Sequence, residues 1–188
     1  KKIDLDFPSV GATENLILAT VLGNHEVTIN NAAKEPEIID LVNFLNKMGA
    51  KIYGAGSNKI KIVGVKELKE VSYKIMPDRI EAGTFLLAAT LTGGEIQLNN
   101  CDAKNICSLI HKLCDNTCKV IIKDDIIYLK SGTLKKSFDF TTRPYPGFPT
   151  DLQAQTMSLL CVSQGVSKIK ESLFEKRFNH VPELIKLG

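Results

Sequence analysis

The stretch Glu26-Val27-Thr28-Ile29-Asn30-Asn31 decides the fold, because it returns later in the chain as Glu95-Ile96-Gln97-Leu98-Asn99-Asn100. In both copies apolar side chains alternate with polar ones, which is typical of a strand with one buried face. The first half of the chain can be laid on the second with this shift of about 70 residues. A third copy begins near Lys136. We therefore expect tandem copies of one structural unit.

Hydrophobic periodicity predicts the same order of elements in every copy, namely strand, helix, strand, helix, strand, strand. In the first copy these elements fall at residues 3–7, 11–22, 26–31, 36–48, 51–53 and 59–63. The second copy runs from residue 72 to residue 129 in the same order. The third supplies strands at 137–141 and 167–172, a helix at 151–162, and the opening of another helix at Pro182.

The first helix of each copy has the same start signal, a proline followed by a capping residue. The three pairs are Pro8-Ser9, Pro77-Asp78 and Pro149-Thr150. Proline prevents the helix from extending toward its N-terminus, and the Ser, Asp or Thr oxygen can accept a hydrogen bond from the first turn. Glu81 and Gln153 also stand at capping-box spacing from Asp78 and Thr150.

The helices differ in how their apolar residues are distributed. The first helix of each copy is apolar nearly all round, so it belongs in the interior. The helix predicted at 36–48 carries its apolar residues on one stripe, as a half-exposed helix does. The expected fold class is therefore α/β (α+β): tandem βαβαββ units with buried helices and outer sheets.

Composition and charge exclude several classes of protein. The chain has 188 residues, of which 44% are hydrophobic and 24% charged, as in an ordinary soluble globular protein. Its 24 basic and 21 acidic residues are interspersed, so nothing predicts a nucleic-acid partner. No apolar run reaches the roughly 20 residues that cross a bilayer, so we expect no membrane association and a cytoplasmic location. Five cysteines, an odd number, are interpreted as reduced thiols.

Three short segments carry candidate functional residues. Ser9-Val10-Gly11 opens a predicted helix, where free N–H groups and the helix dipole favour an anion and a glycine lets a ligand approach. Asp151 lies in a first helical turn, where a carboxylate either stabilises the dipole or accepts a proton from a substrate hydroxyl. Arg177 either clamps a carboxylate or phosphate or is a solvated surface arginine. The residues alone leave these alternatives open.

Metal chemistry is poorly supported by the sequence. His111, Cys114 and Cys118 have helix-like spacing, but buried structural cysteines explain that pattern better than zinc does. The chain also lacks a Gly-rich phosphate loop and a dinucleotide fingerprint. We therefore predict no metal site.

Five segments spread along the chain carry a resemblance to a known family. They read FPSVGAT at 7–13, AAKEPE at 32–37, PDRIEAGTF at 77–85, FPTDLQAQ at 148–155 and FEKRFNHVPEL at 174–184. In this order and spacing they resemble the enolpyruvyl transferases, and among them the UDP-N-acetylglucosamine 1-carboxyvinyltransferases. The resemblance implies two domains, each of three βαβαββ units around buried helices, with the active site in the cleft between them.

The resemblance also implies a division of this chain. Residues 1–71 would be the last unit of the first domain, and residues 72–188 one complete and one truncated unit of the second, with the boundary near 71–76. The chain would then be an internal piece of a longer enzyme, without the loop that carries the family's catalytic cysteine. Such a fragment is expected to be inactive by itself, a non-catalytic folded piece, and to self-associate through exposed apolar helix faces.

The implied reaction transfers the enolpyruvyl group of phosphoenolpyruvate to the 3-hydroxyl of UDP-N-acetylglucosamine, the first committed step of peptidoglycan synthesis for the cell wall. It proceeds by addition and then loss of phosphate, and it implies no metal or organic cofactor. The alternative reaction on the same fold is that of 3-phosphoshikimate 1-carboxyvinyltransferase. The motifs at 7–13 and 148–155 fit the sugar-nucleotide enzyme better.

The resemblance assigns roles to individual residues. Asp151 would contact the sugar hydroxyl and serve as its base, and Arg177 would face the carboxylate of phosphoenolpyruvate. The other implied contacts are substrate-binding Phe7, Pro8, Ser9, Val10, Gly11 and Leu173, and supporting Glu35, Asp78 and Arg79. Some members of the family carry Lys where this chain has Phe7, so this position brings no charge to the diphosphate.

Overall fold

The structure is a computed structural model that describes residues 1–115, 118–132 and 135–188. It divides into two compact units, Lys1–Met76 (unit 1) and Pro77–Gly188 (unit 2). Each unit has its own hydrophobic core. In the described ranges, no helix has the length and apolar character needed to span a membrane.

Unit 1 follows the order of elements predicted for the first copy. The elements are β1 (Lys2–Asp4), α1 (Val10–Thr20), β2 (Glu26–Asn30), α2 (Pro36–Lys47), β3 (Lys51–Tyr53) and β4 (Lys59–Val63). The strands form one sheet in the order β1-β2-β4-β3, in which β1 is parallel to β2 and the other neighbours are antiparallel. The predicted order is confirmed, and the ends of the elements shift by a few residues.

The core of unit 1 joins the sheet to both helices. Ile29 on β2 pairs with Ile60 on β4, and both side chains are fully buried. Ile17 of α1 lies in the same cluster. The one-sided stripe predicted for α2 is confirmed, since Ile38 and Val42 are buried.

Unit 2 contains the rest of the elements. They are α3 (Arg79–Thr92), β5 (Glu95–Leu98), α4 (Cys107–Asp115), β6 (Lys119–Lys123), β7 (Ile126–Lys130), β8 (Phe140–Thr141), α5 (Gln153–Cys161), β9 (Ile169–Lys170) and α6 (Val181–Lys186). One sheet has the antiparallel order β5-β7-β6, and β8 pairs with β9 in parallel. The predicted helix-to-strand junction at Asn116 and Thr117 lies outside the described residues.

The internal repeat extends to an unusual backbone conformation. Asn31 follows β2 and Asn100 follows β5, and both have a φ of 55°. A positive φ is uncommon for a residue other than glycine, and asparagine tolerates it better than most. The two matched sequence stretches therefore turn in the same way where they end.

The strand predicted at the start of the second copy is wrong. Residues 66–78 contain no strand, so the sheet around β5 has three strands where unit 1 has four. The segment bonds to α2 instead: the Tyr73 hydroxyl donates to Asp40 Oδ1 at 2.8 Å, and Lys47 Nζ donates to Ser72 O at 2.7 Å. The Tyr73 ring also lies 5.3 Å from that of Phe44. These contacts place residues 72–76 in unit 1.

The predicted helix starts are confirmed at two of the three positions. Ser9 Oγ accepts from the N–H of Ala12 at 3.2 Å, and Asp78 Oδ1 accepts from the first turn of α3. The capping role predicted for Thr150 is wrong, because its hydroxyl donates to Glu171 at 2.8 Å. Residues Thr150–Leu152 form a 3-10 turn, and α5 begins only at Gln153.

The apolar first helices are partly covered within this chain. In unit 2, α3 packs against α5, and Gly83 of α3 faces the buried Leu152. In unit 1, Leu18 and Leu22 at the end of α1 are 54% and 51% exposed. Helices with apolar residues on every side thus bury one face and leave another in contact with solvent.

Replacing Gly83 by valine should destabilise unit 2. Even the first added carbon would lie 2.6 Å from Leu152 Cδ1 and 3.2 Å from Leu109 Cδ2, and both leucines are fully buried. Overpacking of this kind costs about 1–3 kcal/mol, so the free energy of unfolding in urea should fall by that amount. The control is Ala88→Val on the exposed side of the same helix, which should cost less than about 1 kcal/mol. Because valine favours a helix more than glycine does, a Gly83→Val protein as stable as wild type would contradict the packing effect.

Candidate functional site

The start of α1 presents an open helix N-terminus. Ser9 caps it, and the N–H groups of Val10 and Gly11 have no acceptor within the helix. A Cβ built at Gly11 would meet no other atom within 4 Å, so the space beside this backbone is empty of protein. This geometry suits an anionic group that approaches the backbone closely.

A buried hydroxyl connects this helix start to the segment before α2. Thr13 Oγ1 donates to Ser9 O at 2.8 Å and accepts from the N–H of Ala33 at 3.1 Å. Two residues later Glu35 is buried at the start of α2, and its Oε2 accepts from the N–H of Lys34 at 3.0 Å. Thr13 therefore holds the segments of Ser9 and Glu35 close together within unit 1.

In unit 2 the beginnings of α3 and α5 lie side by side. Gly83 faces Leu152, and Gln155 Nε2 donates to Thr84 Oγ1 at 3.1 Å. Gly83 and Thr84 lie in the first half of α3, Gln155 lies in the first turn of α5, and Leu152 directly precedes α5. The packing therefore brings the start of α3 toward the turn that contains Asp151.

The start of α3 carries two of the predicted supporting residues. The Asp78 carboxylate accepts from the N–H groups of Ile80 at 2.7 Å and Glu81 at 3.1 Å, so it is fixed by the helix that it caps. Arg79 is buried, and its guanidinium carbon lies 5.7 Å from the centre of the Tyr145 ring. Both side chains are thus held by the protein before any ligand arrives.

The two residues predicted to be catalytic form an ion pair. Arg177 Nη2 lies 3.6 Å from Asp151 Oδ1, and the guanidinium also stands over the Phe174 ring at 5.0 Å. The side chains of Asp151 and Arg177 are 56% and 44% exposed. An ion pair with this exposure contributes no more than about 1 kcal/mol, so a charged ligand can separate it at little cost.

Glu171 organises the backbone around this pair. Its Oε1 accepts from Thr142 Oγ1 at 2.7 Å and from the N–H groups of Leu173 and Phe174 at 2.9 and 3.3 Å. Its Oε2 accepts from Thr150 Oγ1 at 2.8 Å. One carboxylate therefore joins the turn before Asp151 to the loop that leads to Arg177.

The hydrogen bonds also determine the charge state of Glu171. Partial burial by itself would raise the pKa of this carboxyl group. The hydrogen bonds from Thr142, Leu173, Thr150 and Phe174 outweigh it and lower the pKa below the ordinary value of 4.5. Glu171 is therefore an ionised acceptor near neutral pH.

No cluster of three or more His, Cys, Asp and Glu side chains that could hold a metal ion occurs in residues 1–115, 118–132 and 135–188. In the same ranges the five cysteines are free thiols.

Comparison with known proteins gives this site its context. The sequence pattern of the EPSP synthase family (3-phosphoshikimate 1-carboxyvinyltransferase) matches residues 1–188, which is the whole chain. The chain belongs to the EPSP synthase family. The resemblance to enolpyruvyl transferases drawn from the five motifs is thereby confirmed.

Curated relatives of this family member share about half of its sequence. The UDP-N-acetylglucosamine 1-carboxyvinyltransferase of Geobacter metallireducens is 49% identical over 187 residues, which are 100% of this chain and 45% of that protein. UDP-N-acetylglucosamine 1-carboxyvinyltransferase 1 of Caldanaerobacter subterraneus subsp. tengcongensis is 51% identical over 188 residues, again 100% and 45%. The chain thus spans less than half the length of these relatives.

Solved structures of the family share the fold. The enolpyruvyl transferase NikO from Streptomyces tendae superimposes with a TM-score of 0.81 at 24% identity, covering 100% of this chain and 47% of that one. An EPSP synthase from Acinetobacter baumannii gives a TM-score of 0.67 at 16% identity, covering 99% and 44%. The predicted α/β fold of the enolpyruvyl transferase type is confirmed.

Within each unit of this EPSP synthase family member the structure groups several of the predicted residues. Asp151 and Arg177 are in contact. Leu173 lies in the loop that leads to Arg177, and its N–H donates to Glu171. Thr13 and Glu171 carry no predicted role, because a threonine in a helix and a glutamate after a strand are ordinary patterns. The functional roles assigned to the site residues stay predictions at this point.

Lowering the pH should remove the stabilising effect of Glu171. Because its pKa is lowered in the folded protein, the ionised form contributes stability above pH 4.5, and this is lost as pH falls through the folded value. The difference in unfolding free energy between wild type and Glu171→Gln, measured in urea, should be largest near neutral pH and shrink below 4.5. Glu175→Gln, an exposed neighbour, is the control and should show a flat difference. A constant gap between wild type and Glu171→Gln across this range would contradict the assignment.

Proposed function

We propose that the protein containing this chain transfers the enolpyruvyl group of phosphoenolpyruvate to the 3-hydroxyl of UDP-N-acetylglucosamine. The relatives that bear the corresponding name are about half identical over the whole chain, whereas the EPSP synthase structures are 16–17% identical. The reaction would be the first committed step of peptidoglycan synthesis, carried out in the cytoplasm. It calls for no metal or organic cofactor.

The contact of Asp151 with Arg177 carries this proposal. A carboxylate that takes a proton from the sugar hydroxyl makes its oxygen a better nucleophile toward C2 of phosphoenolpyruvate. A guanidinium beside it can bind the carboxylate of the same substrate with two parallel N–H donors. Their separation of 3.6 Å supports the proposal, because the addition step needs a proton acceptor close to the group that binds this carboxylate. Attack on C2 breaks the C2=C3 double bond, and C3 takes up a proton to give the tetrahedral adduct. Loss of phosphate from C2 and of a proton from C3 then restores the double bond and gives the enolpyruvyl ether.

The nucleotide end of the acceptor site is assigned to the start of α1. There the backbone of Pro8, Ser9, Val10 and Gly11 would face the diphosphate, and the vacant space beside Gly11 gives it access. The remaining assignments are Phe7 and Leu173 against the sugar nucleotide, and Glu35, Asp78 and Arg79 as supporting groups. In the intact protein residues 1–71 and 72–188 would belong to different domains.

The second candidate is 3-phosphoshikimate 1-carboxyvinyltransferase, the activity after which the matching family is named. Its acceptor is small and carries no nucleotide, and the motifs at 7–13 and 148–155 fit the sugar-nucleotide enzyme better. Titrating the full-length protein with UDP-N-acetylglucosamine and with shikimate 3-phosphate separates the two. Binding of shikimate 3-phosphate alone would replace the first proposal by the second.

Asp151→Asn should abolish most of the turnover while leaving substrate binding nearly intact. The amide has the same shape but cannot accept the hydroxyl proton, and loss of a general base lowers kcat about 10²- to 10⁴-fold. Phosphate release from phosphoenolpyruvate in the full-length protein measures this. Asp115→Asn, an exposed residue at the end of α4, should behave as wild type. An Asp151→Asn enzyme with unchanged kcat would rule out the proton-accepting role.

Gly11→Ala should separate stability from nucleotide binding. The chain has room for the added methyl group, and alanine in a helix is favoured over glycine by up to about 1 kcal/mol. The melting temperature should therefore stay level or rise. The same methyl group would obstruct the diphosphate, so KM for the sugar nucleotide should rise at least about 10-fold, with KM for phosphoenolpyruvate unchanged as the internal control. Unaltered nucleotide affinity would remove the start of α1 from the site.

A further inference from the structure

We propose that Glu171 is a positioning residue that sets the place of Asp151 and Leu173 through one shared carboxylate. This inference rests on the proposed function, because it concerns how the same site is held. Glu171 itself is partly buried, and four donors surround it.

The first step of the argument is what lies next to each donor. Thr150, whose hydroxyl binds Oε2, immediately precedes Asp151 in the chain. The N–H groups that bind Oε1 belong to Leu173 and to Phe174, whose ring lies under the guanidinium of Arg177. Each of these three donors therefore belongs to, adjoins or contacts a residue assigned to the substrates. Thr150 adjoins Asp151, Leu173 is itself assigned, and the Phe174 ring contacts Arg177.

The second step is the chemistry of the acceptor. A carboxylate offers only lone pairs, so it can receive all four donors at once. An amide whose oxygen takes the place of Oε1 keeps the bonds from Thr142, Leu173 and Phe174, but it accepts them as a neutral group and more weakly than a carboxylate. Its NH2 group then takes the place of Oε2 and turns a donor toward the Thr150 hydroxyl, which donates in the wild-type protein. Glutamine would therefore leave at least part of the network unsatisfied.

The third step is the anchor on the opposite side. Thr142, at the end of β8, is fully buried; its Oγ1 donates to Glu171 and accepts from the N–H of Ser172 at 3.0 Å. The Ser172 hydroxyl in turn donates to the carbonyl of Thr142. The loop is thus fastened to the pair of strands β8 and β9, while Asp151 and Arg177 on the other side are exposed. Glu171 transmits the position of the strands to the groups that meet the ligand.

The kinetic test uses the full-length protein with Glu171→Gln, with Glu175→Gln as the matched control on the same loop. In Glu171→Gln, kcat/KM for UDP-N-acetylglucosamine should fall about 10- to 100-fold at a temperature where the variant is folded. Both kcat and KM for the sugar nucleotide should change, since base and binding loop move together. Glu175→Gln should stay within about 2-fold of wild type. A Glu171→Gln enzyme that is less heat-stable but kinetically normal would overturn the proposal.

The path through the turn is tested at Thr150. Thr150→Ser keeps the donor and should retain wild-type kcat, whereas Thr150→Val removes it and should lower kcat as Glu171→Gln does. In the double variant Thr150→Val with Glu171→Gln the two losses in kcat should overlap instead of multiplying, because they break the same hydrogen bond. Losses that multiply would show that Glu171 does not act through Thr150.

A readout without substrate keeps this inference separate from the proposed reaction. Amide hydrogen exchange at Leu173 and Phe174 should become about 10-fold faster in Glu171→Gln and remain unchanged in Glu175→Gln. Unchanged exchange would overturn the positioning role whatever the substrate is. If exchange accelerates as expected but the protein accepts only shikimate 3-phosphate, the proposed function fails and the positioning role stands.

Discussion

The backbone that leaves a pair of parallel strands must find new hydrogen-bond partners, and the arrangement of both units depends on how polar side chains supply them. After β2 in unit 1, the side-chain amide of Asn31 donates to Leu5 O at 2.8 Å, and Thr13 Oγ1 accepts from the backbone N–H of Ala33. After β9 in unit 2, the Glu171 carboxylate accepts from the backbone N–H of Leu173 and from the Thr142 hydroxyl. In each case the segment held in this way leads directly into residues assigned to the substrates.

A second constraint is the packing of helices that have no polar face. A small residue allows a close approach, and Gly83 of α3 meets Leu152 in the turn directly before α5. This contact brings the first half of α3 next to the turn that contains Asp151. The apolar character of these helices therefore determines where the polar groups of unit 2 are found. Fold and site are consequences of the same pattern in the sequence.

The fold was predictable because its signals are local and repeated. Alternation in the two matched stretches, the stripe of α2, and the caps at Ser9 and Asp78 each follow from a few neighbouring residues. The missing strand at 72–76 could not be foreseen, since its fate depends on Asp40 in a distant helix. Thr150 resembles a cap by spacing, yet a carboxylate 21 residues away competes for its hydroxyl. Hydrogen bonds between residues far apart in the chain produce no periodic pattern in the sequence from which they could be predicted.

Gly11 and Gly83 show why residue type alone cannot separate structural from functional positions. Both lie in the first part of a helix, where glycine costs stability relative to alanine. At Gly83 the packing of unit 2 explains the glycine, because a side chain there would collide with Leu152. At Gly11 no atom of the chain lies where a side chain would go, so the packing of unit 1 gives no reason for the glycine. Under the proposed function, a diphosphate on the free N–H groups of α1 would occupy this open space and supply a reason.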